Sequence, residues 1–86
     1  MPHVIILSSI HYVLKAEQLL KAKGIPHDVV PVPRAISADC GMAIEFGEAE
    51  LDRVQAVLQA ADIAIARLYR QEGAGEFTEL NWKEQP

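Results

Sequence analysis

Few side chains in this sequence can make or break a covalent bond near neutral pH, and the foremost is the thiol of Cys40, the single cysteine. It stands near the exit of the stretch Pro31-Val32-Pro33-Arg34-Ala35-Ile36-Ser37-Ala38-Asp39-Cys40-Gly41. Two prolines, a serine, an aspartate and a glycine within it break both helical and strand periodicity, so the stretch reads as a shaped loop. The thiolate is the nucleophilic form of cysteine, and a free thiol titrates near roughly 8.5. Arg34 in the same loop would favour the thiolate, whereas Asp39 would oppose it. Gly41 permits close approach of a ligand or a partner backbone. The alternative is that Cys40 is a small, inert, half-buried hydrophobe, and spacing alone leaves both readings open.

Other polar groups supply partners for such chemistry. Ser8-Ser9 precedes an apolar-periodic run and reads as a helix N-cap, a position where unpaired amides also favour anions. His11 falls in the first turn of that helix and is a candidate acid-base neighbour of the thiol. His3 and His27 fall at strand starts and are expected at the surface. Glu17 is expected to pair with Lys21 at i,i+4. No two of His3, His11, His27 and Cys40 have ligand spacing within one turn, so no metal is expected, and no cofactor either. Nothing resembles a nucleophile elbow or a glycine-rich phosphate loop.

These residues need a scaffold, and the hydrophobic pattern predicts one. Val4–Leu7 is a continuous β-branched-rich run, as in a central strand. From Ile10 the residues Ile10, Val13, Ala16 and Leu20 recur at helical spacing, with Leu14 and Leu19 widening the stripe. Gly24 and Pro26 end this helix near Lys23. A second strand is predicted over 27–32, with Pro31 placing it at a sheet edge or bulge. Met42, Ile44 and Phe46 alternate with polar neighbours as a third strand. Gly47 begins a second helix with apolar positions Leu51, Val54, Val57, Leu58 and Ala61. Alternation over 63–69 predicts a fourth strand.

The order strand, helix, strand, strand, helix, strand predicts an α/β (α+β) chain of the ferredoxin-like βαββαβ kind, a four-stranded antiparallel sheet with two helices on one face. In that topology the first two strands run the same way. The loop carrying Cys40 then lies at the sheet end where the first helix begins.

Composition bounds the function. Eighty-six residues, 50% of them hydrophobic, make one domain with one modest core. Residues 1–70 are expected to form it, with 71–86 as a polar C-terminal tail containing a docking trio, Phe77, Leu80 and Trp82. A net charge of −4 argues against nucleic acid and anionic membrane as partners. One cysteine excludes an internal disulfide and a Cys-x-x-Cys redox pair. The run Val4–Leu7 is too short for a signal-peptide core or a membrane span, so a cytoplasmic protein is expected.

The loop and the strand after it resemble the signature of the selenium/sulfur (Se/S) carrier protein-like family, small bacterial domains. The resembling pattern is Pro-x-Pro-Arg, then Ser-x-x-Cys-Gly, with Ser9-x-His11 and Lys15-Ala16-Glu17-x-x-Leu20 upstream, over roughly residues 4–70. Gly47 departs from it, where a serine-like cap is expected. The resemblance implies a carrier rather than a turnover enzyme, holding sulfur or selenium on Cys40 as a persulfide or selenosulfide. It further implies Arg34, Ser37 and Gly41 as loop partners of the thiol, with Ser9 and His11 across the gap. Implied partners are a cysteine desulfurase or other chalcogen donor and an acceptor enzyme, and a homodimer is left open. Two competing readings use the same loop: a non-catalytic small-anion-binding or regulatory module, and a single-cysteine redox or metal sensor.

Overall fold

The computed structural model describes residues 2–36 and 41–82. It contains strand β1 (Pro2–Leu7), helix α1 (Ile10–Ala22), strands β2 (Asp28–Pro31) and β3 (Met42–Gly47), a 3-10 turn (Glu48–Glu50), helix α2 (Leu51–Ala60), and strands β4 (Ile65–Gly73) and β5 (Glu76–Leu80). The strands form one sheet in the order β2-β3-β1-β4-β5, each neighbouring pair antiparallel. β1 and β2 both oppose β3, so they run parallel to one another with β3 between them. By the same logic β3 and β4 run parallel and flank β1.

The sheet has five strands where the sequence pattern predicted four. The fourth strand runs on to Gly73, past the point where its apolar alternation ends, and the chain then turns through Gly75 (φ 73) into β5. An irregularity in the β4–β5 register between Gln71 and Gly73 offsets the pattern there. β5 is an edge strand with no buried residue, so its polar composition reads like a tail. Of the expected docking trio, Leu80 and Trp82 pack on the main core and Phe77 on the opposite face of the sheet.

Both helices begin and end for local reasons. Ser9 is extended and its hydroxyl accepts the Tyr12 N–H at 3.4 Å, capping α1 as expected. α1 closes with Ile25 N–H on the Leu20 carbonyl and Gly24 N–H on that of Lys21, a Schellman motif with Gly24 left-handed at φ 68. α2 closes the same way, with Ile63 N–H on Leu58 and Asp62 N–H on Gln59, and Asp62 takes the left-handed position at φ 58. Ile63 thereby belongs to the cap, and β4 starts two residues later than its apolar character suggested. Gly47 leads into the 3-10 turn before α2, with no side-chain cap.

The main core lies between the helices and one sheet face. Ile5, Leu7, Ile44, Phe46 and Leu68 from the strands meet Val13, Ala16 and Leu20 of α1 and Val54 and Leu58 of α2. Full burial of each of these side chains other than Ala16 contributes about 1.5–3 kcal/mol. The other face carries a smaller cluster, Val4, Ile6, Ala43 and Tyr69, with Ile36 packed onto it. This is why β1 is buried at every position from His3 to Leu7. No described helix is long and apolar enough to cross a membrane.

Candidate functional site

Because β1 and β2 are parallel, Leu7 and Pro31 end at the same edge of the sheet, where β3 starts at Met42. α1 begins three residues after β1, which brings Ser9 and His11 to that edge. The neck of the loop is closed by Val32 N–H donating to the Gly41 carbonyl at 3.1 Å. Gly41 is left-handed at φ 77, and a Cβ there would meet no described atom within 4 Å. The glycine is therefore explained by backbone conformation rather than by crowding.

After Val32 the chain makes a tight turn in which Ile36 N–H donates to the Pro33 carbonyl at 2.9 Å. Arg34 and Ala35 form its exposed corners. Ile36, 6% exposed, anchors the turn against Val4, Ile6, Ala43 and Tyr69. The described first half of the loop thus folds onto the face away from the helices. Ser37 and Cys40, and Asp39 beside it, lie outside the described residues.

The predicted site residues within the described part share one end of the sheet. Arg34 sits on a turn corner and makes no ion pair with a described residue. The Ser9 hydroxyl is engaged as the α1 cap. His11 is exposed and meets the Tyr12 ring edge-on, centroids 5.7 Å apart. No hydrogen bond or ion pair joins Arg34, Ser9 and His11 among the described residues.

Sequence reasoning passed over a second cation at this end. Arg67 pairs in register with Ile6 and so lies on the helix-free face that also holds Ile36. Its Nη1 donates to the Tyr69 hydroxyl at 2.8 Å, and its guanidinium carbon is 5.7 Å from that ring's centroid. Such a double hold orients a half-buried charge better than an exposed loop arginine can be held. The signal was the strand period of two, which puts residues 67 and 69 on one face.

Histidines and acids at the opposite end are placed differently from expectation. His27 is not a surface residue: its Nδ1 is 2.7 Å from the Ile25 carbonyl oxygen and its Nε2 is 2.8 Å from Glu17 Oε2. Glu17 accordingly serves His27 and not Lys21, because the Schellman turn brings 25–27 back alongside α1. His3 is 2% exposed and stacks on Phe46 at 5.8 Å. Asp28 and Glu45 sit directly opposite each other across β2 and β3, and with Pro2, Pro26 and His27 they line a shallow, open cleft of about 170 Å³. Among the described residues no three histidine, cysteine or acidic side chains come together as metal ligands.

A family model described as "Putative Se/S carrier protein-like" matches residues 2–70, which run from the first residue of β1 to the middle of β4. No curated protein and no solved structure matches the chain.

Proposed function

We propose that this chain, which belongs to the Se/S carrier protein-like family, carries sulfur or selenium on Cys40 between a donor enzyme and an acceptor. The observation that carries the reading is the family match over 2–70, because that span contains the whole loop and the chain's only cysteine. The strand order supports it indirectly. With β5 set aside, we take the arrangement as two ferredoxin-like split βαβ halves, in which the end of β2 and the start of β3, the two attachments of the loop, lie at the α1 end of the sheet.

In the proposed step the Cys40 thiolate attacks the terminal sulfur of a donor persulfide. A new bond forms from Sγ to that sulfur while the donor's own sulfur–sulfur bond breaks. The donor leaves as a thiolate and takes up the proton that Cys40 gave up. One sulfane sulfur changes hands and no electrons are gained or lost overall. Selenium moves in the same way from a donor selenosulfide. Acceptor enzymes reverse the geometry, attacking the terminal atom and releasing Cys40. With one cysteine in the chain, no internal thiol competes to discharge the cargo as a disulfide.

Arg34 would balance the anionic cargo, and the amides at the start of α1, beside Ser9 and His11, would favour it. Ser37 and Gly41 complete the proposed set. We place this exchange in the cytoplasm, where thiols are kept reduced. The test is mass spectrometry after incubation with a cysteine desulfurase and cysteine or selenocysteine. Wild type should gain the mass of one sulfur or selenium atom at Cys40. Equal uptake by Cys40→Ser would end the carrier reading.

A further inference from the structure

The apolar stripe of α1 is wider than the surface the sheet covers. Val13, Ala16 and Leu20 are sealed in the core, but Ile10 and Leu14, one turn apart on the same flank, are 47% and 56% exposed. Residues at i and i+4 are neighbours, so the two make one contiguous ridge. It rises at the end of the sheet where the loop neck closes. The fully exposed charges on this helix have one sign. Lys15, Lys21 and Lys23 are exposed, while its one acid, Glu17, is engaged by His27. Residues 10–23 thus hold three of the chain's 8 basic residues and one of its 12 acidic ones.

A basic, apolar-centred ridge on an acidic protein selects among occupants. Two copies meeting α1 to α1 would oppose Lys21 with Lys21 if parallel, and if antiparallel would offer Lys21 no acid of the other copy's α1, whose one acid is engaged by His27. A bilayer would need a wider apolar face than two side chains provide. We propose that the Ile10–Leu14 ridge of α1 is the docking surface for the chalcogen donor, a protein presenting an apolar seat rimmed by carboxylates. This inference rests on the carrier reading above. The ridge supplies the contact and Lys21, in line with it two turns beyond Leu14, supplies register, while Lys15 and Lys23 on other sides of the helix add only longer-range steering.

The experiment compares two donors on the full chain. A cysteine desulfurase supplied with L-cysteine must dock, whereas glutathione persulfide need not. Wild type, Leu14→Glu and Lys21→Glu are loaded with each, and Cys40 persulfide is followed by mass spectrometry. The expected result is a fall of about tenfold or more in the desulfurase rate for Leu14→Glu. Lys21→Glu should lose rate and salt dependence together, and loading by glutathione persulfide should be unchanged in both variants, which also shows them folded. Desulfurase rates equal to wild type in both variants would overturn the docking surface. So would loading of wild type by the small donor alone, or self-association that Leu14→Glu abolishes. If neither donor loads wild-type Cys40, the carrier reading fails and this surface with it.

Discussion

Removing the imidazole of His27 tests whether one long-range polar clasp holds the α1–β2 connection. The ring bridges the Ile25 carbonyl at 2.7 Å and Glu17 at 2.8 Å, with the His27 side chain 8% exposed. Both partners are acceptors, so the ring donates to both only when each nitrogen carries a hydrogen; the bond to the carboxylate contributes about 1.5–3 kcal/mol and the one to the carbonyl about 0.5–1.5 kcal/mol. Glu17 is 31% exposed, so its freed carboxylate regains water, and the loss stays below the ~3–5 kcal/mol of a broken, fully buried pair. His27→Ala should therefore cost about 2 kcal/mol, seen as a fall of roughly 8–16 °C in Tm for a domain of this size. Urea unfolding of His27→Ala, Glu17→Ala and the double variant isolates the shared part, expected at about 1 kcal/mol. Glu17→Gln, which keeps an acceptor oxygen, should lose less than Glu17→Ala. A coupling energy below about 0.3 kcal/mol, the limit for independent sites, would refute the clasp.

Three further outcomes follow from local geometry. Asp62 holds the left-handed position that Gly24 holds in α1, so Asp62→Gly should stabilise by about 0.5–1 kcal/mol and Gly24→Ala destabilise by about 1–2 kcal/mol in urea unfolding. Tyr69→Phe removes the hydroxyl that accepts from Arg67 while keeping the ring, and should cost about 1 kcal/mol by the same measurement. The exposed Glu72 carboxyl is held below its ordinary pKa by its hydrogen bond and charge attraction to Arg70. A lowered folded-state pKa means the pair's contribution is present above the unfolded value and is lost as pH falls through the folded one. Any stability advantage of wild type over Glu72→Gln should therefore shrink on acidification across the carboxylate range, and an advantage that grows there would contradict the pairing.

The elements that were legible in the sequence are those set by neighbours in the chain. Ser9 before Ile10, and Gly24 with Pro26 after Lys23, mark the limits of α1 because capping and left-handed closure are local events. Pro31 correctly marks β2 as an edge strand, since its missing N–H is tolerated only where no partner strand needs it. What was not legible depends on partners distant in sequence. Glu17 looked toward Lys21 because i,i+4 spacing is visible, whereas His27 comes within reach only after the chain reverses at Gly24. Ile10 and Leu14 match a core stripe in spacing, yet the sheet beneath α1 covers only Val13, Ala16 and Leu20 fully. β5 hid for the opposite reason, being a half-exposed edge held mainly by pairing with β4, with only Phe77 and Leu80 partly buried.

The same division applies to the candidate site. Its motif is local and could be read from the order of residues 31–41. The electrostatics around the loop cannot, because they depend on which sheet face the loop takes. Ile36 decides this among the described residues by packing on Val4, Ile6 and Tyr69. That choice puts the first half of the loop on the face of Arg67, a cation held by a phenol and a ring, while Arg34 stays on an exposed corner. A half-buried guanidinium is screened by salt less than an exposed one. With Arg67 sharing this role with Arg34, Arg67→Gln should slow persulfide loading more than Arg34→Gln at high ionic strength, while at low ionic strength the two losses should converge. Equal sensitivity of the two variants at every salt concentration would mean that the face chosen by Ile36 has no bearing on the charge the loop carries.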